Sequence, residues 1–236
     1  MLTLYQFEIS PFCDKIRRVL NFKRVPYRTQ EVGLLEAQMG YRKVNPVGKV
    51  PAIVDAEGHT VADSTDIAYW LEERHPTPPL VPSDPRERAL MHVLEDWADE
   101  SLYFFEMRLR FGIAHNRTRI LPKLLAKESS VMKAIVPVLS PLAINQVLKA
   151  QGIGRRSDAR VVTEVGRHLD AIGALLGRDY LVGNALTLAD ISVFAQVFAI
   201  GDSTEGGAEI AKRAAVVAFM DRVDRATRPE NSSRAA

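Results

Sequence analysis

The stretch NPVGKVPAIVDAEGHTVADSTDI, residues 45–67, contains the pattern that decides the fold. Two short apolar runs, VPAIV and TVA, flank the turn sequence DAEGH, in which Gly58 favours a tight β-hairpin. A helix then begins at Asp63 or Ser64 and ends at Pro76. The stretch therefore predicts a β-hairpin that leads directly into a helix.

The chain before this hairpin has the pattern of a strand, a helix and a second strand. The run LTLYQF has alternating apolar side chains, including aromatic ones, and the pattern ends at Ser10-Pro11, as a strand ends at a turn. Residues 12–22 then place apolar side chains three and four positions apart, which predicts an amphipathic helix. Its polar face is expected to carry Asp14, Lys15, Arg17 and Arg18. A second strand in VPYRTQEV completes a βαβ unit, so residues 1–76 predict a small α/β domain.

The chain after the hairpin changes from mixed structure to helix. The stretch HPTPPLVPSDP has five prolines in eleven residues, so we interpret 77–85 as a linker. Beyond it, helical periods predict an all-helical domain at 86–226, followed by a flexible tail at 227–236. We expect one long helix from ERALMHVLEDW to EMRLRF, and two helices interrupted near Pro137 and Pro141.

Two further helices of this domain have recognisable starts. Ser157 precedes one of them, and the sequence LTLADI predicts the capping box of another, with Thr187 as N-cap and Asp190 three residues later.

Composition excludes several classes of function. The 236 residues are 47% hydrophobic with a net charge of +2, and the basic residues are scattered, which argues against disorder and against a nucleic-acid surface. A single cysteine forms neither an internal disulfide nor a cysteine-based zinc site, and the histidines lack metal-ligand spacing. The N-terminus does not resemble a signal peptide, and no uninterrupted apolar run of about 18 residues occurs, so we expect a cytoplasmic protein without a membrane span.

Three features are consistent with a bound peptide thiol. The sequence SPFC places Ser10 and the first amides of a helix around one point, where an anion such as a thiolate is favoured. A cis bond between Val50 and Pro51 would leave the Val50 backbone free to pair with an extended peptide, whereas a trans bond would make an ordinary turn. Asp63 and Ser64, at a second helix start, either cap that helix or also bind a carboxylate.

The order of these motifs resembles that of the cytosolic glutathione transferase superfamily over nearly the whole chain. The matching segments are SPFC, NPVGKVPAI, DSTDIAYWLEE and LTLADISVFA. The resemblance implies a thioredoxin-like α/β N-terminal domain, an all-α C-terminal domain and a homodimer. The segment that begins QGIGRRSDAR also resembles a branch related to metaxins and failed-axon-type proteins, some of which look more like adaptors than enzymes.

The resemblance assigns roles to residues of the first turn. Ser10 takes the place of the catalytic hydroxyl and would donate a hydrogen bond to the glutathione thiolate. Cys13 takes the second position of a glutaredoxin-like C-x-x-C motif, either packed or acting as a nucleophile in disulfide exchange. Tyr5 is the alternative hydroxyl, with packing in the core as the other interpretation.

The resemblance also implies a glutathione site and a second pocket. The positions expected to bind glutathione, a co-substrate used without a metal, are Ser10, Phe12, Lys49, Val50, Pro51, Asp63 and Ser64. For Lys49, a solvated side chain is the alternative. The pocket for a small hydrophobic electrophile is expected along the long helix, at Tyr103, Phe104, Arg108 and Phe111. The implied activity is conjugation of glutathione to that electrophile; the alternatives are a non-catalytic binding protein and a thiol oxidoreductase using Cys13.

Overall fold

The computed structural model describes residues 1–34, 40–177 and 179–229. Its N-terminal domain contains a four-stranded mixed sheet in the order β2-β1-β3-β4. The strands are β1 (Leu2–Gln6), β2 (Tyr27–Glu31), β3 (Ala52–Val54) and β4 (Thr60–Ala62). The pair β1 and β2 is parallel, and the other two pairs are antiparallel. The predicted βαβ unit and hairpin are both confirmed.

Among the described residues of this domain, two α-helices lie beside the sheet, and each begins at a capping side chain. Helix α1 (Pro11–Phe22) has Ser10 as N-cap, and its first position is a proline, which suits the first turn because no backbone donor is lost there. Helix α2 (Ser64–Arg74) has Asp63 as N-cap. The caps hold the starts of both helices at fixed points beside the sheet.

The linker is packed against both domains. The backbone N–H of Leu80 donates to the Glu72 carboxylate on α2, and its carbonyl accepts from Leu188 in the C-terminal domain. The Leu80 side chain is buried. Residues 77–84 therefore form a fixed connection between the domains, and the next helix begins at Pro85.

The long helix predicted at the start of the C-terminal domain is confirmed, with two local changes of pitch. It runs as α3 (Pro85–Trp97), a π-helical turn (Ala98–Leu102), α4 (Tyr103–Met107) and a second π-helical turn (Arg108–Gly112). A π-helical turn contains an additional residue relative to an α-helical turn.

Further helices complete the all-helical domain. They are α5 (Ala114–Leu124), α6 (Ser130–Gln151), α7 (Asp158–Leu175), α8 (Leu188–Gly201), α9 (Thr204–Ala211) and α10 (Ala214–Thr227). Helix α7 starts after Ser157, and the capping box of Thr187 and Asp190 is present at α8, both as predicted.

The expected interruption near Pro137 and Pro141 is wrong, because both prolines lie inside α6. Each lacks one backbone donor, but their spacing of four puts both on one side of the helix and leaves the hydrogen bonds on the other sides in place. The tail prediction is partly wrong as well: Thr227 is the buried last residue of α10, and 230–236 lie outside the described residues.

The two domains share one continuous apolar core. It extends from β1, α1 and α2 through the long helix to α7, α8 and α10. The polar face predicted for α1 is therefore only partly correct, because Lys15 and Arg18 are buried against the C-terminal domain. The Arg18 guanidinium lies 3.9 Å from the centre of the Phe194 ring and donates to the Thr227 hydroxyl at 2.8 Å.

Helix α6 differs from its neighbours in being both apolar and exposed. In the part of the chain that is described, it is one helix with the length and composition to cross a membrane, and only 6% of its most apolar window is buried. Such a feature on its own is weak evidence for a membrane span, and α6 carries two prolines.

Candidate functional site

Ser10 lies at the N-terminus of α1, at the end of the turn that leaves β1. Its hydroxyl oxygen accepts from the backbone N–H of Cys13 at 3.4 Å, and its own N–H donates to the Phe7 carbonyl at 3.1 Å. The side chain is half-buried. Because the first amides of a helix and the helix dipole favour negative charge, the hydroxyl lies where a thiolate would be stabilised.

Arg110 holds the turn from the other domain. Its guanidinium donates to the Ile9 carbonyl at 3.1 Å, pairs with Glu106 and lies 3.3 Å from an Asp202 carboxylate oxygen. The Arg110 side chain is buried. The sequence pattern did not identify this structural role of Arg110. The four-residue spacing of Glu106 and Arg110 on one helix was the available signal for a pair between them.

Cys13 is fully buried beneath the same turn. Burial raises the pKa of its thiol to about 11, although hydrogen bonds from Ser10 and Phe7 oppose that effect. A buried, protonated thiol is a poor nucleophile. The structure thus favours the packed interpretation of Cys13 over the nucleophilic one.

The Val50–Pro51 peptide bond is cis, as the glutathione-site interpretation requires. Among the described residues, the Val50 backbone makes no hydrogen bond, so it is available to an extended ligand. The preceding carbonyl, that of Lys49, accepts from the Tyr41 hydroxyl at 3.0 Å and from the Asn45 amide at 2.7 Å. The Lys49 residue itself is exposed.

Asp63 and Ser64 form the second predicted anion site, and they play different parts. Asp63 is exposed, adopts a φ of 77°, which non-glycine residues rarely do, and accepts from the Thr65 N–H at 2.8 Å. Ser64 is buried, and its hydroxyl lies 3.3 Å from Asp99 of the C-terminal domain. Asp63 caps the helix as the sequence indicated, and Ser64 connects the site to the other domain.

A buried ionic cluster, formed by Lys15, Glu95 and Asp99, lies behind Ser64. The Lys15 ammonium contacts Glu95, lies 2.7 Å from Asp99 Oδ2 and donates to the Thr65 hydroxyl at 3.3 Å. Burial raises the pKa of Asp99, with Lys15 acting against it. Burial lowers the pKa of Lys15, but the two carboxylates reverse this, so that the pKa is raised overall.

This cluster was not predictable from the sequence. The three residues come from α1 and the long helix, 80 and 84 positions apart, so periodicity within one helix cannot place them together. The Asp99 Oδ1 atom is buried and has no hydrogen-bond partner in the described residues. The cluster thus links α1, α2 and the long helix directly behind both predicted anion sites.

The aromatic residues assigned to the site form two separate sets of ring contacts. Phe12 stacks at a tilt on Tyr103, with ring centres 4.9 Å apart, and Tyr103 in turn contacts Phe104. Burial raises the pKa of the Tyr103 hydroxyl. Tyr5 packs against Tyr41 with ring centres 5.7 Å apart, which agrees with its core interpretation. Among these residues, Phe12 joins the turn to the long helix.

The two remaining residues of the predicted electrophile pocket make other contacts. Arg108 pairs with Asp158 at the start of α7. The Phe111 carbonyl accepts from Arg117 at 2.9 Å. Their assignment to the pocket remains a prediction.

A cavity of about 230 Å³ lies beside the turn. Its walls are residues 7–9 and 31–33 of the N-terminal domain and Lys123, Leu124 and 126–128 of the C-terminal domain. These residues differ from those predicted for the electrophile pocket. Within the described ranges, no group of three or more histidine, cysteine or acidic side chains is arranged to hold a metal ion.

Comparison with known families gives two matches, one in each domain. The family model of the glutathione S-transferase N-terminal domain matches residues 4–79, and that of the C-terminal domain matches residues 131–226. A glutathione S-transferase structure from Rhodospirillum rubrum covers 99% of the chain and is itself covered to 93%, with a TM-score of 0.66 and 25% identity. The matched residues contain both anion sites and the α8 capping box.

Individual relatives match different lengths of the chain. A probable maleylacetoacetate isomerase of Drosophila melanogaster is 38% identical over 92 residues, which is 36% of this chain and 37% of that protein. The chain thus spans under half the length of such curated relatives. FtsZ-localized protein A of Caulobacter vibrioides is 27% identical over 202 residues, covering 84% of this chain and 76% of that protein. With both domain families and the whole fold in agreement, the chain belongs to the cytosolic glutathione S-transferase superfamily.

Proposed function

We propose that this protein binds glutathione and transfers its thiolate to a small hydrophobic electrophile. The observation that carries the proposal is the Ser10 hydroxyl at the N-terminus of α1, held in place through the Ile9 carbonyl by the buried Arg110. The free backbone of Val50 and the helix start at Ser64 supply the two further contacts that a carboxylate-bearing peptide thiol needs.

The energy required is within reach of these groups. A free thiol has a pKa near about 8.5, and lowering it by about two units needs roughly 2.7 kcal/mol of preferential thiolate stabilisation. A hydrogen bond from one hydroxyl to a charged acceptor contributes about 1.5 to 3 kcal/mol, and the helix N-terminus adds about 0.3 to 1 kcal/mol. The required value falls within the combined range of these two contributions, so Ser10 and α1 are the groups we propose to promote ionisation of a bound thiol.

In the proposed reaction, the glutathione thiol gives its proton to water, and the thiolate sulfur then forms a new bond to an electrophilic carbon. The bond from that carbon to its leaving group breaks, so that the leaving group, a halide ion in the case of an aryl halide, departs with the bonding electrons. The electrophile is proposed to lie along the long helix, where Tyr103, Phe104, Arg108 and Phe111 are its predicted contacts; the 230 Å³ cavity beside the turn is lined by other residues. Glutathione is a co-substrate in this scheme. We further propose a cytoplasmic homodimer, which rests on the family.

A non-catalytic binding protein is the second candidate. The observation that favours it is the match to FtsZ-localized protein A over 84% of the chain, compared with 36% for the isomerase. This candidate keeps the fold and its ligand site without turnover. An oxidoreductase that uses Cys13 is the weakest candidate, because that thiol is buried and its pKa is about 11.

Replacing Ser10 tests the proposal. We expect Ser10→Ala to lower turnover of a reactive aryl halide at least about tenfold, because the thiolate loses its hydroxyl donor, while glutathione affinity changes little. Turnover, calorimetric titration with glutathione and the ultraviolet thiolate band of the complex are measured together.

Ser157→Ala is the matched control, since Ser157 also caps a helix and its hydroxyl accepts from the Arg160 N–H at 3.3 Å. Equal activity in wild type and Ser10→Ala would remove Ser10 from the mechanism. Glutathione binding without turnover on any electrophile tested would favour the second candidate, and no binding at millimolar ligand would contradict the proposed glutathione site.

A further inference from the structure

The outward side of α6 is apolar where a surface helix normally presents polar side chains. Ile144 and Leu148 face the rest of the domain, and Leu148 is fully buried. On the opposite side, five large apolar side chains are exposed: Val131 (64% exposed), Ile135 (44%), Val138 (74%), Leu139 (61%) and Leu142 (66%). Val147, which lies between these two sides, is also half exposed.

These five residues form one stripe along α6. At 100° per residue, they fall within an arc of roughly a third of a turn, centred nearly opposite the arc of Ile144 and Leu148. Monomeric soluble proteins seldom expose a contiguous apolar patch of this kind unless it is a contact surface. We therefore expect another molecule to bind to this stripe.

The charges at the ends of α6 indicate what that occupant is. No acidic residue occurs from Ser129 to Ser157. The exposed cations of this segment are Lys133, Lys149, Arg155 and Arg156. In the part of the chain that is described, none of these four has an acidic partner within 4.0 Å. Lys149 lies on the same side of α6 as the stripe, and Arg155 and Arg156 follow just after the helix, whereas Lys133 lies on the opposite side. An apolar stripe with cations at its C-terminal end matches a membrane surface, which is apolar beneath an anionic layer.

A second copy of the chain is a poorer match. Two copies of α6 packed stripe against stripe would offer these cations no acidic side chain from either helix. Anionic lipid headgroups supply that negative charge, and the acyl region beneath them accepts the apolar side chains.

We propose that the outward stripe of α6 docks this protein onto anionic lipid membranes. The helix lies along the membrane surface and does not cross it, because Leu148 is buried in the domain and α5 and α7 hold the helix at both ends. The transferase site on α1 is separate from this stripe, so the inference does not rest on the proposed glutathione chemistry.

Vesicle binding by the full chain tests this surface. Sedimentation is measured with phosphatidylcholine vesicles alone and with vesicles containing about one third phosphatidylserine. We expect binding to the anionic vesicles, little binding to the neutral ones, and weaker binding at about 0.5 M salt. Leu139→Glu should lower the affinity at least about tenfold, since it places a charge in the centre of the stripe.

Val93→Glu is the matched control, because Val93 on α3 has the same 61% exposure as Leu139 and lies outside the stripe. A second pair separates charge from apolar contact: Arg156→Glu should weaken binding to anionic vesicles, and Arg86→Glu, an exposed reversal at the start of α3, should not. Far-ultraviolet circular dichroism establishes that each variant is folded.

Three results would overturn the proposal. The first is no sedimentation of the wild type with anionic vesicles. The second is binding that Leu139→Glu and Val93→Glu change equally. The third is a dimer in solution that Leu139→Glu dissociates while vesicle binding is absent, which would assign the stripe to a second copy of the chain.

Discussion

The thiol of Cys13 and the hydroxyl of Ser10 lie one helical turn apart but face different surroundings. Ser10 is half-buried at the helix start, whereas Cys13 is enclosed between α1 and the sheet. The motif C-x-x-C with its first cysteine replaced was readable from the sequence. The loss of reactivity was not, because the pKa of a thiol depends on how much water reaches it.

The rate at which Cys13 reacts with an alkylating reagent tests whether its thiol is buried. We expect iodoacetamide to alkylate the folded protein at pH 8 at least about 100-fold more slowly than the urea-unfolded chain, because burial excludes the reagent and raises the pKa of the thiol to about 11. Alkylation is followed by intact mass. Equal rates would show a reachable thiol and would restore the oxidoreductase interpretation.

Arg110 shows the limit of sequence reasoning for single residues. Its position on a helix was predicted correctly, and its spacing from Glu106 was visible. Its contact with the Ile9 carbonyl spans 101 positions, and only the packing of the two domains brings the atoms together. Capping roles at Ser10, Asp63 and Thr187 were predictable because they depend on neighbours three positions away.

Helix α1 has a polar side that is partly buried by the second domain. Apolar spacing predicts the helix and its polar face, but it does not show which of the polar side chains a second domain covers. The C-terminal domain covers part of that side and supplies Glu95 and Asp99 to Lys15. In the sequence, a charged residue occupies a polar position of the helical pattern whether it is buried with partners or exposed to solvent. The pattern therefore does not distinguish the two cases.

The Lys15 cluster provides the test for this element. Lys15→Met leaves Glu95 and Asp99 buried without a cation, so we expect the free energy of unfolding to fall by about 3 to 5 kcal/mol. Adding Glu95→Gln and Asp99→Asn should recover at least about half of that loss. Urea titration measures each value.

Lys212→Met serves as the control for the Lys15 test, because Lys212 pairs with Glu209 in an exposed setting, where such pairs contribute about 0 to 1 kcal/mol. A loss from Lys15→Met no larger than this control would mean that the cluster does not stabilise the contact between the domains.

For the whole molecule, the fold class and the order of the two domains were predictable from the sequence. The β-hairpin, the βαβ unit and the prolines of the linker each have local signatures. The joint core was not predictable, because its members come from both ends of the chain: α1 packs on α8 and α10, and Arg18 reaches Asp224 and Thr227 across 206 and 209 positions.

The joint core predicts that both domains unfold together. The chain has two tryptophans, Trp70 in the N-terminal domain and Trp97 in the C-terminal domain. In Trp70→Phe the remaining fluorescence reports the C-terminal domain, and in Trp97→Phe it reports the N-terminal domain. For each variant, we compare the urea midpoint from fluorescence with the midpoint from circular dichroism, and we expect the two to agree within about 0.3 M. Separate midpoints would show that the domains unfold independently.

The two π-helical turns in the long helix set its rotational phase. Each turn takes one residue more than an α-helical turn, so each displaces everything downstream by about 100° around the axis. At constant α-helical pitch, Glu95 and Glu106 would point the same way. With the turn at Ala98–Leu102 between them, one side of the helix meets Lys15 on α1, and another side carries Glu106 and Arg110 to the Ile9 carbonyl. Deleting one residue from the turn at Ala98–Leu102 would rotate every later side chain of the helix by about 100° about its axis. The number of residues in this turn therefore matters to the site as much as their identity does.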